Sequence, residues 1–329
     1  MNTLRRTGLR ALGTAALLAT IGLAQAQTAP WPSKPVRIIL PFTAGGTGAG
    51  VLRSMGPELS ARLGQPIIME NMVGGTGMVG QDYTMRQPAD GYTFVVLSIS
   101  GVLAYHQLGK VVNFARDLTP VAQIYTQYGM LVSNPNLPEM ANIYNLRQLI
   151  AYAKANPGKI NFGSQGTGSI GHLVMEKIKT LAGISLVHVP YRGAAPGYND
   201  LMAGHIQMMS TSLGALPYVK SGKMRAISIG SPTRLPAVPE VSTFIEEGLS
   251  GYVAGSWLGL AAPPNLPKPI LDRMSAEIKG ALSKPEVLEK LRTLGTDPEY
   301  LAPAEFAVRV QADYEQWGKI MRDNNIKPD

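Results

Sequence analysis

The feature that most restricts the fold is a repeated order of strand, glycine-rich loop and helix. Three loops follow it, at residues 43–50 (TAGGTGAG), 74–80 (GGTGMVG) and 164–171 (SQGTGSIG). An apolar run typical of a strand precedes each loop, and apolar residues at helical spacing follow it. Strands and helices that alternate in this way predict an α/β fold with largely parallel sheets.

The same loops are candidate anion sites. Glycine allows a sharp turn and a close approach to a ligand, and the helix that follows offers unpaired N–H groups at its positive end. None of the loops contains Lys or Arg or ends in the G-K-[ST] of a phosphate-binding loop. Their other donors are hydroxyl groups, which suits a carboxylate better than a polyphosphate. These hydroxyls belong to Thr43, Thr47, Thr76, Ser164, Thr167 and Ser169.

The periodicity predicts two series of elements. The first has strands at 36–40, 66–70 and 92–98 and helices at 51–63 and 78–87. The second has helices at 145–156, 169–182 and 195–203 and strands at 160–163, 186–189 and 206–209. In the last predicted helix, a stripe of large side chains indicates a core-facing seam rather than a cofactor box. The stripe consists of Phe306, Val310, Tyr314, Trp317 and Met321.

The N-terminus predicts export to the periplasm. Three arginines precede an apolar stretch at 11–23 that is too short to span a bilayer, and Ala24-Gln25-Ala26 forms an A-x-A cleavage site. Residues 1–26 are therefore interpreted as a signal peptide, with twin-arginine export open beside the general route. The chain has no cysteine, which excludes disulfides, thiolate metal sites and lipid modification at the cleavage site.

Charge and motifs argue against nucleic-acid-binding proteins, metalloproteins, dinucleotide-dependent enzymes and serine hydrolases. Without the three arginines of the signal, 27 basic residues face 22 acidic ones with no basic run, so we expect no nucleic-acid binding. The four histidines show no metal-ligand spacing, which predicts no metal site. Loops 74–80 and 164–171 match G-x-G-x-x-G, yet no ribose-binding acid is evident about 20 residues further on, so no dinucleotide cofactor is expected. Residues 167–171 (TGSIG) differ from the G-x-S-x-G motif of a nucleophile elbow at the first position, where Thr167 stands in place of glycine.

At the level of whole motifs, the mature chain closely resembles the Bug-type solute-binding proteins of tripartite tricarboxylate transporters. The matching segments are Trp31–Arg37, Pro41-Phe42, Glu70-Asn71, Ala89–Thr93, Asn156–Lys159, Gly166–Gly168 with His172-Leu173, and Val187–Gly193. The resemblance implies a periplasmic-binding-protein fold of type II, in which two α/β domains joined by two crossovers close like a Venus flytrap. It implies domain I at 27–127 and 257–329, domain II at 128–256, and the ligand cleft between them.

The resemblance also implies that the first and third loops hold a carboxylate from opposite sides. The implied ligand-binding residues are Phe42, Thr43, Ala44, Gly45, Gly46, Thr47, Ser164, Gln165, Gly166, Thr167, Gly168 and Thr211. Further candidates are Thr76, Ser98, His172, Tyr191 and Arg192. Many relatives carry aspartate at positions 49 and 211, where this chain has Ala49 and Thr211. Without those acids a buried ligand ammonium would lack a partner, so we expect a non-amino acid, either a dicarboxylate or an aromatic carboxylate.

Three functions remain as hypotheses at this stage. The first is transport, in which a non-enzymatic monomer delivers its ligand to an integral-membrane permease. The second is a sensory role, in which the closed form docks on a two-component receptor. The third is an exported hydrolase, against which the lack of a nucleophile–base pair in the sequence argues.

Overall fold

The computed structural model describes residues 31–42 and 47–326. The predicted signal peptide and residues Thr43, Ala44, Gly45 and Gly46 of the first loop lie outside that range. The strands are β1 (Val36–Leu40), β2 (Ile67–Asn71), β3 (Thr93–Ser98), β4 (Thr119–Ser133), β5 (Asn161–Ser164), β6 (Val187–Pro190), β7 (Met208–Ser212), β8 (Arg225–Ile229), β9 (Gly255–Ala262) and β10 (Asp297–Leu301).

The helices pack on both sides of these strands. They are α1 (Thr47–Leu63), α2 (Met78–Met85), α3 (Ile99–Gln107), α4 (Phe114–Asp117), α5 (Leu146–Ala155), α6 (Ile170–Ala182), α7 (Ala194–Ala203), α8 (Leu216–Lys220), α9 (Lys268–Leu282), α10 (Pro285–Thr293) and α11 (Pro303–Asp323). The predicted α/β fold is confirmed, but the prediction of largely parallel sheets is wrong, because β4 and β9 add antiparallel pairs to both sets of parallel strands.

Two sheets share the long strand β4. In the first sheet, β2, β1 and β3 run parallel, and β9, β4 and β10 extend it in antiparallel pairs. In the second sheet, β6, β5 and β7 run parallel, and β4 pairs antiparallel with both β7 and β8. Strand β4 pairs with β9 as far as Tyr128 and with β7 from Gly129 onward. The sheets meet at this point, and the domain boundaries at 127/128 and 256/257 remain a prediction.

Burial on both faces explains the apolar strands. In β3, Phe94 and Val96 join the cluster under α1, α9 and α10, whereas Val95 and Leu97 join the cluster that also contains α3, α6 and α11. Successive side chains of a strand point to opposite faces, so a strand covered on both sides becomes continuously apolar. The second cluster also contains Phe162 of the second sheet and therefore packs both sheets against shared helices.

Most predicted elements are confirmed, with shifts of a few residues at their ends. The predicted core-facing stripe of α11 is confirmed, since all five of its side chains are buried. Helix α1 begins four residues earlier than predicted, and the strand predicted at 206–209 lies at 208–212. The elements absent from the prediction are α3, α4, α8, α10, β4, β8, β9 and β10. No helix among the described residues is long and apolar enough to cross a membrane.

Candidate functional site

A cavity of about 240 Å³ lies where the two sheets meet. Its lining combines the start of α3 from one side, the start of α6 and the end of β7 from the other, and the strands β4 and β9 that connect them. The lining residues are Ser100, Gln127, Gly129, Gln165, Ser169, Ile170, Gly171, Val174, Ser210, Thr211, Ser212, Gly255 and Ser256. Apolar carbon and neutral polar groups make up this surface, and no lining residue among those described is charged.

The start of α6 forms one wall. Ser169 is the N-cap, and its Oγ accepts the amide of His172 at 3.4 Å. Ile170 and Gly171 are the first two residues of the helix, and both line the cavity. Their amides have no acceptor within the helix, because no helical turn precedes them. A methyl group on Gly171 would lie 2.8 Å from Oε1 of Gln165 and 2.9 Å from the carbonyl oxygen of Ser210. Glycine is therefore what lets the helix start reach the cavity so closely.

The third loop ahead of α6 satisfies most of its own amides. The amide of Gly166 donates to Ser164 Oγ at 3.2 Å, that of Gly168 to Nδ1 of His172 at 3.1 Å, and that of Ser169 to the carbonyl of Gly166 at 3.1 Å. These bonds fix the loop in one shape. In this structure the donors toward the cavity are therefore Gln165, which belongs to the predicted wall, and the helix start at Ile170 and Gly171, which lies just after it.

A stacked pair of histidines, His172 buried and His188 half-buried, supports this loop. The rings of His172 and His188 stack with centroids 3.7 Å apart, and His188 Nε2 shares a 2.7 Å hydrogen bond with Ser164 Oγ. Since Nδ1 of His172 accepts the Gly168 amide, the ring proton lies on Nε2, which faces Oε1 of Glu176 at 3.5 Å. Burial raises the pKa of Glu176, but hydrogen bonds from His172 and Lys179 outweigh it, so the net pKa is lowered.

The start of α3 forms the opposite wall. Strand β3 ends at Ser98, the N-cap of α3, and its Oγ accepts the amide of Gly101 at 3.3 Å. Ser100, the second residue of the helix, lines the cavity. At the other end of α3, Nε2 of Gln107 donates to the carbonyl of Gly168 at 3.1 Å. Helix α3 therefore forms one wall with its first turn and holds the loop ahead of α6, in the other wall, with its last turn.

The crossing strands form the floor. A Cβ atom on Gly255 would lie 2.6 Å from the carbonyl oxygen of Gln127, so glycine is needed for β9 to pass close to β4 here. Nε2 of Gln127 donates to the carbonyl of Gly295 at 3.0 Å, which directs this side chain away from solvent and along the floor. Because β4 is shared by the two sheets and pairs with β9 here, the floor of the cavity lies where the sheets meet.

Strand β7 supplies polar side chains to the same wall as the start of α6. Ser210 is 1% exposed, and its Oγ has no hydrogen-bond partner among the described residues. Thr211 Oγ1 shares a 2.6 Å hydrogen bond with the hydroxyl of Tyr198 and accepts from Gln165 Nε2 at 3.4 Å. Burial raises the pKa of Tyr198, although its bond to Thr211 opposes the rise. An unpaired buried hydroxyl is costly, and because Ser210 also lines the cavity, its hydroxyl is a candidate partner for a ligand oxygen.

The predicted site residues are distributed unevenly around this cavity. Gln165 and Thr211 line it, whereas Ser164 lies fully buried beneath the third loop and Gly168 packs under Gln107. Phe42 packs its ring against Gly48, and Thr47 is the first residue of α1.

The remaining candidates lie outside the cavity lining as the structure describes it. Thr76 is exposed in a 3₁₀ turn, and His172 is buried under the loop. Arg192 is exposed, and the hydroxyl of Tyr191 donates to Asp200 at 2.9 Å. Burial first, and then that bond, raise the pKa of Tyr191 to about 12. The placement of these residues against a ligand stays a prediction.

Several lining residues were missed in the sequence because α3, β4 and β9 were not predicted. A signal existed for two of them. Ser98 is a hydroxyl residue directly before an apolar run, the pattern of an N-cap, which would have marked Ser100 as a helix-start residue. Gly171 is the third glycine of its G-x-G-x-x-G. Gln127 and Ser256 had no local signal, since only the pairing of β4 with β9 brings them to the cavity.

Ser164 and His188 form the kind of nucleophile–base pair that the sequence did not reveal, but Ser164 is 0% exposed and its hydroxyl donates to the carbonyl of Gly166 at 3.0 Å. Within residues 31–42 and 47–326, no group of three or more His, Asp or Glu side chains could hold a metal ion.

Helix starts from two sides that meet at an interdomain cavity are typical of the periplasmic binding proteins. Residues 51–326 match the family model of TctC, the tripartite tricarboxylate transporter family receptor, and the chain belongs to this family of solute-binding proteins. BugT of Bordetella pertussis is 30% identical over 315 residues, which cover 94% of this chain and 95% of BugT. The predicted Bug-type family is confirmed.

Solved structures agree with this fold. MatC from Rhodopseudomonas palustris with bound malate has 28% sequence identity and a TM-score of 0.69, with 88% of this chain and 99% of MatC covered. The R. palustris protein Rpa4515 with adipate has 30% identity and a TM-score of 0.70, with 91% of this chain and 99% of that protein covered. The two-domain periplasmic-binding-protein fold that the resemblance implied is confirmed.

Proposed function

We propose that this protein captures a small organic carboxylate in the cavity between its two sheets and delivers it to the integral-membrane permease of a tripartite tricarboxylate transporter. One observation carries the proposal. The starts of α3 and α6 approach a single cavity from opposite sides, beside the unpaired buried hydroxyl of Ser210. Two positive helix ends with neutral hydroxyl and amide donors suit one carboxylate group. The malate and adipate bound by similar proteins support the same class of ligand.

The proposal extends to location and mechanism. The predicted signal peptide and the periplasmic class of the family support a mature protein in the periplasm that begins near residue 27, and we propose that it acts as a monomer. The buried position of Ser164 supports binding without catalysis. The ligand is held by groups of both walls and therefore favours the closed form by its differential affinity.

The side chains around the cavity support a ligand without an ammonium group. Ala49 is buried, and Thr211 is bonded to Tyr198, so neither position presents a carboxylate to the cavity. A buried ammonium would meet only neutral groups here, and its desolvation would go uncompensated. This supports a non-amino dicarboxylate or aromatic carboxylate, as the sequence predicted.

Calorimetry on the mature protein with a panel of organic acids tests this function. We expect a non-amino carboxylate to bind, and the Ser210→Ala variant to bind it about 10- to 150-fold more weakly, since a hydrogen bond to a charged group contributes about 1.5–3 kcal/mol.

Ser133→Ala is the matched control, because Ser133 is also buried in a strand with an unpaired Oγ but does not line the cavity. It should leave the affinity unchanged. Equal weakening in both variants, or binding confined to amino acids, would refute the proposal.

A further inference from the structure

Gly168 of the third loop is held from two sides. Its amide donates to Nδ1 of His172 at 3.1 Å, and its carbonyl accepts from Nε2 of Gln107 at 3.1 Å. His172 belongs to α6, on one wall of the cavity, and Gln107 belongs to α3, on the other. This one residue therefore connects the two walls, and each of its two bonds is made by a side chain.

The bond to His172 also bears on the start of α6. Gly168 directly precedes Ser169, the N-cap of that helix, whose Oγ accepts the backbone amide of the same His172 at 3.4 Å. His172 therefore contacts this turn twice, through its ring and through its backbone. The next residues, Ile170 and Gly171, line the cavity. A turn that loses the ring contact keeps only the longer backbone bond to hold these residues in place.

The ring nitrogen Nδ1 of His172 is an acceptor only while it carries no proton. A protonated Nδ1 is a donor, and at 3.1 Å from the amide nitrogen of Gly168 it would place two N–H groups face to face. The bond would then be lost and the loop released at Gly168. Histidine is the side chain that ordinarily takes up a proton between about pH 5 and 8, so this contact is open to disruption by moderate acid.

The groups around the ring provide a counter-charge for that proton. On the same helix, Oε1 of Glu176 lies 3.5 Å from Nε2 of His172 and 2.7 Å from Nζ of Lys179. Despite its burial, the net pKa of Glu176 is lowered, so this carboxylate stays charged in moderate acid and stabilises a charged ring. The titratable ring of His188 on β6 stacks at 3.7 Å, and β5 contributes the neutral ring of Phe162.

From these contacts we infer that His172 is a positioning residue for ligand binding. With Nδ1 unprotonated, it holds the third loop and the start of α6 in the binding shape, and acid weakens binding by protonating that nitrogen. The inference rests on the proposed function and adds to it a residue that acts without touching the ligand. The apparent affinity falls in proportion to the fraction of protein whose loop keeps the binding shape.

Two substitutions of His172 separate the acceptor from the ring. His172→Asn places Oδ1, an acceptor that does not titrate, where Nδ1 stands, whereas His172→Phe keeps a ring against His188 and removes the acceptor. Calorimetry measures the affinity of each mature protein for malate, adipate and benzoate at about pH 7.5 and at about pH 5.5. Each variant is compared with the wild type at the same pH, so that titration of the acid itself cancels.

The two variants should respond differently to pH. We expect His172→Phe to bind about 5-fold or more weakly than the wild type at the higher pH, through the loss of one hydrogen bond. His172→Asn should match the wild type at the higher pH and bind about 5-fold more tightly than it at the lower pH, because its acceptor does not titrate. His205→Asn is the control and should follow the wild type at both pH values, since His205 is exposed and does not line the cavity.

A measurement on the wild type needs no variant to fold. Nitrogen NMR of protein labelled at histidine should show Nδ1 of His172 as its unprotonated ring nitrogen at the higher pH, and a protonated Nδ1 would overturn the inference. Wild-type affinity in His172→Phe, or an unchanged pH dependence in His172→Asn, would overturn it as well and leave the proposed function intact. If the wild type binds none of the three acids, the proposed function fails and the inference fails with it.

Discussion

The two G-x-G-x-x-G loops share a sequence pattern but differ in what they do. The helix start after the third loop lines the cavity, whereas no residue of loop 74–80 belongs to the cavity lining in the described chain. The second loop instead supports α3 from behind. A Cβ atom on Gly77 would lie 3.5 Å from Cα of Gly101, and the amide of Gln81 packs against the same glycine. One loop leads into the binding wall, and the other holds the opposite wall in place.

Their polar groups differ in the same way. Ser164 of the third loop is bonded to His188 and to both backbone groups of Gly166. Gln81 beside the second loop is fully buried, and neither its oxygen nor its nitrogen has a partner in the described chain. The third loop is therefore fixed by hydrogen bonds, and the second by close packing around glycine.

The largest expected difference in ligand affinity comes from replacing the third glycine of each G-x-G-x-x-G pattern by alanine. Gly171→Ala places a methyl group 2.8 Å from Gln165 and 2.9 Å from the backbone of Ser210, so the helix start must move away from the cavity. We expect calorimetry to show a loss of affinity of about 100-fold or more, equivalent to about 2.7 kcal/mol.

Gly80→Ala is the matched variant in the second loop. Its methyl group would lie 3.1 Å from Ile39 and 3.2 Å from Pro41, far from the cavity. It should lower the free energy of unfolding by about 1–3 kcal/mol through overpacking and leave the affinity of the folded protein near that of the wild type. If both variants lost affinity equally, the distinction between the loops would be lost.

An intermediate effect should separate the two buried polar groups. Ser164→Ala leaves His188 without its hydroxyl partner and should destabilise the protein by about 1–3 kcal/mol. Gln81→Met removes an amide that has no partner and should be neutral or stabilising by about 1 kcal/mol. Denaturant unfolding measures both values. A more destabilised Gln81→Met variant would show that the amide has a partner, such as a buried water molecule.

The smallest expected effect is on the stability of the protein at acidic pH. Because the folded-state pKa of Glu176 is lowered, the stability that this group contributes is fully present above the ordinary glutamate pKa of about 4.3 and is lost as the pH falls through the lower folded value. Thermal melts from pH 6 down to about pH 3 should therefore fall less steeply in Glu176→Gln than in the wild type. An identical slope in both proteins would mean that the network under the third loop does not titrate.

The sequence was sufficient for the elements whose periodicity is local. The strand at 36–40, the helix at 170–182 and the stripe of α11 needed only alternation or helical spacing of apolar residues. Strand β4 could not be found in this way. It passes between two sheets, is buried for most of its length and contains no turn signal to mark where its partners change.

The candidate site was only partly predictable for the same reason. Gln165 could be predicted because it adjoins a motif shared with a family, and Thr211 because it stands where many relatives carry aspartate. Gln127, Ser210 and Ser256 depend on which strands pair, a long-range property that no short pattern encodes. The amides of Gly166 and Gly168 were predicted as donors from a glycine-rich loop ahead of a helix and from the family resemblance, and the sequence did not show that Ser164 and His172 occupy them.

The most direct test is a crystal structure of the mature protein with a carboxylate that calorimetry has shown to bind. The structure predicts that the carboxylate oxygens lie about 3 Å from the amide nitrogens of Ile170 and Gly171 and from Ser210 Oγ. A carboxylate bound elsewhere, with these amides turned away from the cavity or bonded to protein acceptors, would contradict the account.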